Sequence, residues 1–248
     1  MSESEANVSD VIQAGRFRIP VIYEDNHLLV VEKPPNLPTQ ADSSGDDDLL
    51  TLLKGYIGEK YHKPGAVYLG LVHRLDRPVG GAMVFARTTK AASRLSETFR
   101  AHEQDRHYLA VVEGSLPQPF EPVDYLIKDA RGMVRAVSKD TPGAKQARLA
   151  SKVIAQRDGL SLIDVRLFTG RSHQIRVQHA HAGHPLWGDM RYGHGQAGRQ
   201  IALWAYRLTL MHPTRREEMT FLSRPPRDGI WKLFASEIDA WMEENHAE

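Results

Sequence analysis

The segment His73–Gly81, with the sequence HRLDRPVGG, combines charged side chains with residues that restrict the backbone. Asp76 stands between Arg74 and Arg77, and cations this close favour the ionised carboxylate. Pro78 fixes its own φ and biases the preceding residue towards an extended conformation, while the two glycines permit a bend. We therefore expect Asp76 to be held on a loop that enters a strand, where it could act as a nucleophile or general base. The alternative is an ion pair that only stabilises the turn.

A second polar segment, Gly170–Gly193, reads GRSHQIRVQHAHAGHPLWGDMRYG and follows an apolar run. Arg171 lies at a predicted turn from strand to helix, where a guanidinium can pair with a carboxylate or bind a phosphate. His173 and Arg176 then recur at helical spacing. The alternative interpretation is a helix N-terminus with ordinary surface charge.

The same segment contains a cluster of metal-ligand types, with three histidines and one aspartate: His179, His181, His184 and Asp189. The spacing H-E-x-x-H is absent and the chain has no cysteine, so we expect no metal site. The sequence also lacks G-x-x-x-x-G-K-S/T and G-x-G-x-x-G, the usual nucleotide-binding motifs. A metal-dependent hydrolase is therefore disfavoured, and we expect no cofactor.

Tyr108 begins a predicted strand, HYLAVVEG. A tyrosine there is either an amphipathic core residue or a ring that stacks on a nucleic-acid base. The charge distribution bears on this choice, because the net charge is only +1 but residues 160–216 carry eight arginines and two acids. That imbalance predicts a local surface that faces phosphates, with a solvated arginine-rich face as the alternative.

The overall composition is that of a globular protein of one large domain or two small lobes. No apolar run is long enough to span a membrane, and the polar N-terminus does not resemble a signal peptide. We interpret residues 1–18 as a loose tail and residues 19–248 as one domain that would carry any catalysis. The absence of cysteine fits a cytoplasmic protein.

Hydrophobic patterning predicts the elements that must position these residues. Strands are expected around Leu28–Val31, in GAMVFA, in HYLAVVEG, and in a hairpin that turns at Asp158–Gly159. Helices are expected over Leu49–Ile57 with the preceding aspartates in the first turn, after Thr88 or Thr89, after the 170s turn and at the C-terminus. Strands mostly follow one another in hairpin order with helices interspersed, so we expect an α+β fold around a mixed, largely antiparallel sheet.

Four stretches taken in order resemble the RluA-type pseudouridine synthases, over about Val21 to Leu222. They are YEDNHLLVVEKP, HRLDRPVGG, HYLAVVEG and the 170–193 segment. The resemblance implies isomerisation of uridine to pseudouridine in RNA, without cofactor or metal. It also implies a role for each of seven residues: Asp76 as the catalytic aspartate, Arg171 as its partner, Tyr108 stacked on the base, Arg74 filling the gap left by the flipped nucleotide, Ile175 lining the base pocket, and His73 and Arg176 binding substrate.

The sequence departs from the family pattern at several positions. Gly80 stands where a serine is common, Trp204 where a histidine is usual, Gln178 at another common histidine, and Arg106 at a usual lysine. The chain also lacks the small RNA-binding domain of longer members, which favours a compact stem-loop, in tRNA more than in rRNA, bound by a monomer. A non-catalytic RNA-binding module or RNA chaperone with the same fold is the alternative function.

Overall fold

A computed structural model describes residues 10–245 of the chain. The strands over these residues are β1 (Val11–Ala14), β2 (Phe17–Glu24), β3 (Leu28–Lys33), β4 (Gly70–Leu71), β5 (Gly80–Ala86), β6 (Asp105–Glu113), β7 (Val123–Lys128), β8 (Val134–Val137), β9 (Lys145–Arg157), β10 (Leu160–Leu167), β11 (Leu203–Met211) and β12 (Glu218–Leu222). The helices are α1 (Leu49–Lys60), α2 (Thr89–Ala101), α3 (Gln174–His181) and α4 (Ala235–Glu244), with a 3₁₀ helix at Gly229–Phe234.

The strands form one sheet in the order β1-β2-β3-β5-β11-β6-β10-β9-β7-β8, with β12 paired to β11 and β4 paired to β5. β5 and β11 are parallel neighbours, and the other strand pairs within residues 10–245 are antiparallel. The expected α+β fold with a mixed, largely antiparallel sheet is therefore confirmed.

The sheet buries separate apolar clusters on its two sides, because alternate residues of each strand point in opposite directions. One cluster contains Leu53 of α1 together with Phe85 of β5 and Tyr108 of β6. On the other side, α2 packs through Leu95 against β3 and β5, while α4 packs through Ile238 against β6 and β11. The first cluster includes the strand residues that lie beneath the candidate site.

The predicted loose tail, residues 1–18, is wrong from Val11 onward. β1 and β2 form an antiparallel hairpin with Ala14 opposite Phe17. Ile12 and Ile19 are buried, at 7% and 0% exposure, so this hairpin contributes apolar surface to the core. Residues 1–9 lie outside the described residues.

Local signals in the sequence mark several element boundaries correctly. Asp158 and Gly159 have φ of 52° and 71°, and positive φ at both central residues is what a type I′ hairpin turn requires. Asp48 and Thr88 cap α1 and α2 by accepting backbone N–H bonds. The predicted single C-terminal helix is divided, because Phe234 has a φ of −120° between the 3₁₀ helix and α4. No helix among the described residues is long and apolar enough to cross a membrane.

Two of the departures from the family pattern face each other. Gly80 lies opposite Trp204 in the parallel pair of β5 and β11, and a Cβ at residue 80 would lie 2.2 Å from the indole ring. Gly81 has a φ of 121°, and a Cβ there would lie 2.2 Å from the carbonyl oxygen of Ala205. The close approach of β11 therefore requires both glycines, and the indole at residue 204 excludes a serine at residue 80.

Candidate active site

A pocket lies where the loop between β4 and β5, strand β6 and the start of α3 meet. Its free space, open mouth included, is about 470 Å³. Six of the seven residues singled out in the sequence line it: Arg74, Asp76, Tyr108, Arg171, Ile175 and Arg176. The structure thus brings together residues that are about a hundred positions apart in the chain.

Asp76 is held by Arg176, whose Nη1 donates to Asp76 Oδ2 at 3.3 Å. The Nε and Nη2 atoms of the same guanidinium each donate to the carboxylate of Asp189 at 2.8 Å. Asp189 is buried and also accepts the backbone N–H groups of Arg191 and Tyr192. Because Asp189 fixes two nitrogens of Arg176, the third is directed at Asp76, whose side chain remains 26% exposed and reachable from the pocket.

His173 is the second polar neighbour of Asp76. It precedes α3 with a φ of 53°, its Nδ1 lies 2.7 Å from the Tyr192 hydroxyl, and its Nε2 lies 3.9 Å from Asp76 Oδ2. Burial lowers the pKa of His173, although the charge of Asp76 acts in the opposite direction. The ring is therefore mainly neutral at pH 7, and Arg176 supplies the positive charge beside Asp76.

Lys33 supports the loop that carries Asp76. It is fully buried, and its Nζ donates to the backbone oxygens of Pro34, Leu37 and Arg77 at 3.0, 2.7 and 3.0 Å. Burial lowers the pKa of Lys33 to about 7, against the opposing effect of Asp76. The last of its bonds connects the end of β3 to the residue that follows Asp76, which makes Lys33 a positioning residue.

Tyr108 on β6 and Ile175 on α3 contribute apolar wall to the pocket, and they are 6% and 5% exposed. Burial raises the pKa of Tyr108, so the phenol stays protonated at neutral pH. Its hydroxyl makes no hydrogen bond to any residue in the described part of the chain. The ring therefore combines an aromatic surface with an unused hydroxyl, as a stacking residue for a base requires.

Arg171 does not pair with Asp76, so the partner expected from the resemblance is wrong. Its Nε donates to the carbonyl oxygen of Gln146 at 2.9 Å. Its backbone N–H donates to Oε1 of Gln174, which also accepts the hydroxyl of Thr169. These bonds fix the turn before α3 so that Arg171 points to β9, whereas the pairing arginine, Arg176, lies inside the helix.

His73 does not line the pocket, so its assignment as a substrate-binding residue is also wrong. Its Nε2 accepts the backbone N–H of Val84 at 3.1 Å, and its ring stacks on Phe99 with centroids 4.6 Å apart. Burial, assisted by the charge of Arg106, lowers the pKa of His73 to about 3. The neutral imidazole therefore joins the Asp76 loop to β5 and α2.

The arginine-rich region of residues 160–216 divides between the pocket and a separate network. Arg171, Arg176 and Arg191 of this region line the pocket or its mouth, together with four cations from elsewhere in the chain: Arg74, Arg77, Arg106 and Lys128. Arg166 and Arg207 instead form ion pairs with Asp105. Only part of the basic surface expected from the sequence therefore surrounds Asp76.

The histidines of the 173–212 region do not converge on one point. His179 is fully buried, with Nδ1 2.8 Å from the Ile175 carbonyl oxygen and Nε2 3.0 Å from Ser151 Oγ. Nδ1 of His184 lies 3.0 Å from the carbonyl oxygen of Glu113. Between residues 10 and 245, no three histidine, aspartate or glutamate side chains are grouped as metal ligands.

Three residues at or beside the pocket received no role from the sequence: Lys33, Arg106 and Asp189. Lys33 and Asp189 fall within the matched motifs, in the Lys-Pro pair and in G-D-M-R-Y-G. Sequence spacing does not reveal how they support Asp76, because neither contacts it directly. Lys33 acts through the backbone oxygen of Arg77, and Asp189 acts through the side chain of Arg176.

Comparison with known proteins agrees with this site. A family model described as RNA pseudouridylate synthase matches residues 27–181. An uncharacterized RNA pseudouridine synthase of Bacillus subtilis is 34% identical over 90% of this chain and 78% of the relative. A ribosomal large subunit pseudouridine synthase D of Zymomonas mobilis is 33% identical over 85% of this chain and 70% of the relative.

Solved structures share the fold. Human RNA Pseudouridylate Synthase Domain Containing 4 superposes with a TM-score of 0.71 at 21% identity, covering 88% of this chain and 91% of that one. Human RNA Pseudouridylate Synthase Domain Containing 1 superposes with a TM-score of 0.67 at 20% identity, covering 96% of this chain and 97% of that one.

This chain belongs to the RNA pseudouridylate synthase family, and the resemblance to its RluA type is confirmed. The protein is an isomerase that acts on RNA and converts uridine to pseudouridine.

Proposed function

We propose that Asp76 is the nucleophile of this isomerase and that Arg176 keeps it ionised and oriented. The observation that carries the proposal is the carboxylate of Asp76 at the wall of the pocket, 3.3 Å from a guanidinium that Asp189 holds by two bonds. Attack at carbon 6 of the base or at the anomeric carbon of the ribose detaches the base. The base then rejoins the ribose through carbon 5 and the bond to Asp76 breaks, which releases the carboxylate. Carbon 5 loses its proton to solvent while N1 gains one.

The walls of the pocket fit a single extruded base. Tyr108 supplies a ring for stacking and Ile175 an apolar surface, and both are buried beside Asp76. An enzyme that acts on a base inside structured RNA must take it out of the stack, which costs a few kcal/mol. Stacking on an aromatic side chain offsets this by about 1–3 kcal/mol.

Arg74 is the residue that we propose enters the space vacated by the flipped nucleotide. It is exposed, lies at the pocket mouth two residues before Asp76, and forms no hydrogen bond or ion pair with residues 10–245. A guanidinium without an intramolecular partner is free to enter the RNA helix as the base leaves it. Arg171, Arg191 and Lys128 at the same mouth supply contacts to the phosphates.

The RNA that we propose as substrate is a structured stem-loop, and the relatives favour ribosomal over transfer RNA. Several of them carry the name ribosomal large subunit pseudouridine synthase D. A monomer in the cytoplasm, acting without cofactor or metal, completes the proposal. The cysteine-free sequence supports the reducing compartment.

Pseudouridine mapping tests this function. Ribosomal and transfer RNA from cells with and without this protein are compared position by position, and the purified protein is added to the deficient RNA. We expect at least one uridine in a stem-loop to lose modification in the deficient cells and regain it on addition. An RNA that binds the protein but never gains pseudouridine would favour the non-catalytic RNA-binding alternative.

A further inference from the structure

Arg106 is a buried cation that the site described above does not use. It lies on β6 two residues before Tyr108, is 9% exposed and lines the pocket. Its Nε and Nη2 atoms are buried without a hydrogen-bond partner, and the described residues supply no carboxylate within ion-pair distance of its guanidinium. Burying an uncompensated charge costs free energy. This cost indicates that the guanidinium of Arg106 pairs with a group of a bound ligand.

Arg106 lines the pocket, and the neighbouring residue Gly170 leaves room beside its guanidinium. A Cβ at Gly170 would lie 3.0 Å from Nη1 and 3.3 Å from Nη2 of Arg106. Gly170 also lines the pocket and does not have a positive φ, so its backbone does not itself require glycine. The missing side chain at this position therefore leaves room around the guanidinium. The guanidinium also lies over the ring of Phe99, 5.9 Å from the ring centroid.

We propose that Arg106 donates a hydrogen bond to the O4 carbonyl oxygen of the bound uracil and stabilises the negative charge that develops there. This inference rests on the proposed function of Asp76. Attack at carbon 6 moves the π electrons of the C5–C6 bond into a C4–C5 double bond and those of the C4 carbonyl onto O4. Attack at the ribose leaves the electron pair of the broken glycosidic bond on the ring, where it is shared between N1, O2 and O4. A fixed cation beside O4 lowers the barrier by either route.

A phosphate is the less suitable ligand for this arginine. Arg106 is nine-tenths buried beside the base-stacking residue, whereas Arg74, Lys128 and Arg191 are available for phosphates at the mouth. A base carbonyl enters the pocket with the ring, but a phosphate stays with the RNA backbone outside. RNA-binding measurements distinguish a phosphate from a base carbonyl as the ligand, because loss of a phosphate contact weakens RNA binding and reduces its salt dependence.

The test compares Arg106→Met and Arg106→Lys with the wild type and with Gln104→Met. Gln104 is the matched control, because its side chain is also buried without a partner two residues earlier but does not line the pocket. We expect Arg106→Met to slow single-turnover pseudouridine formation about 100- to 1,000-fold. Its RNA dissociation constant should stay within about threefold of the wild-type value. The slope of log K against log salt concentration should stay within about 0.5 of the wild-type slope. Arg106→Lys should recover at least tenfold of the lost rate, and Gln104→Met should react like the wild type.

Thermal unfolding distinguishes this role from a structural one. Replacing an uncompensated buried charge by methionine should leave the Tm unchanged or raise it. The inference is overturned if Arg106→Met keeps the wild-type rate, if its rate loss accompanies a lowered Tm, or if its binding weakens by the same factor as its rate. A wild-type protein that forms no pseudouridine in any RNA would instead refute the proposed function itself.

Discussion

Successive side chains of β6 enter two charged environments that differ in how completely their charges are paired. On one side, His107 Nδ1 lies 2.9 Å from Asp164 and its Nε2 lies 3.2 Å from Asp105, which also accepts Arg166 at 2.8 Å. Burial alone would lower the pKa of His107, but the bonds to Asp105 and Asp164 raise it to about 9. On the other side, Arg106 and the hydroxyl of Tyr108 have no partner within the described residues.

The difference indicates what each side of the strand contributes. Charges that are paired within the chain stabilise the folded state and have little left to offer a ligand. Groups left unpaired in a pocket reduce stability and retain their donors for a substrate. Substitutions in the His107 network should therefore change stability more than rate, and substitutions in the pocket should do the reverse.

Arg176 is both paired within the chain and part of the pocket, so its removal should have the largest effect on stability and on rate. Arg176→Ala leaves the buried carboxylate of Asp189 uncompensated, which should cost about 3–5 kcal/mol of the free energy of unfolding, and it should abolish pseudouridine formation. Arg171→Ala removes the same charge from the same pocket but breaks only one hydrogen bond, to a backbone oxygen, so it should cost about 1 kcal/mol. Urea unfolding and single-turnover rates measure both. A larger effect from Arg171→Ala would restore it as the partner of Asp76.

The packing of Gly80 against Trp204 should give the next largest effect, on stability alone. Gly80→Ser forces an atom into the indole ring and should cost about 2–3 kcal/mol. Gly55→Ser is the control, because a Cβ there meets nothing within 4 Å. We expect the double variant Gly80→Ser, Trp204→His to lose less free energy of unfolding in urea than the two single variants lose together. The difference should be at least about 1 kcal/mol. Strict additivity would show that the two residues do not compete for one space.

His107 should make stability depend on pH. Its pKa is about 9 in the folded protein and about 6.5 unfolded, so its stabilisation is complete below pH 6.5 and is lost as the pH rises through 9. Lys33, with its pKa lowered to about 7, acts in the opposite direction over this range. The comparison of wild type with His107→Gln cancels the contribution of Lys33.

Between pH 6.5 and 9.5, the advantage of the wild type over His107→Gln in the free energy of unfolding should shrink by about 3 kcal/mol. Unfolding in urea at both pH values measures it, and turnover at pH 7 should stay near the wild-type rate. An advantage that does not change with pH would show that His107 is not a charged member of the network.

Arg74 should have the smallest effect on stability, within about 0.5 kcal/mol for an exposed residue. Arg74→Ala should slow a stem-loop substrate at least tenfold more than a flexible strand of the same sequence, because flipping is costly only for stacked or paired bases. Lys128→Ala is the matched control, since it removes the same charge from the pocket mouth and should weaken binding of both RNAs alike. Equal slowing of both RNAs by Arg74→Ala would reduce Arg74 to a phosphate contact.

The sequence indicated which residues meet at the site better than it indicated their contacts. Periodicity and turn residues located the sheet and the helices, and the motifs placed Asp76, Tyr108 and Arg176 at one pocket. Arg171 and Arg176 lie five residues apart and are chemically identical, so only the path of the turn before α3 shows which one faces Asp76. His73 stands in the same charged motif but points to β5. Contacts of this kind depend on side-chain direction, which spacing alone does not determine.

The central claim is that the carboxylate of Asp76 attacks the uridine, and one substitution tests it most directly. Asp76→Asn keeps the shape of the side chain and its neighbours Arg176 and His173 but removes the nucleophile. Single-turnover release of tritium from RNA labelled at carbon 5 of uridine, with saturating enzyme, measures the reaction, and a parallel titration measures RNA binding. The account predicts that Asp76→Asn binds the RNA within a few-fold of the wild type and releases no tritium above background. Release at the wild-type rate by Asp76→Asn would contradict it.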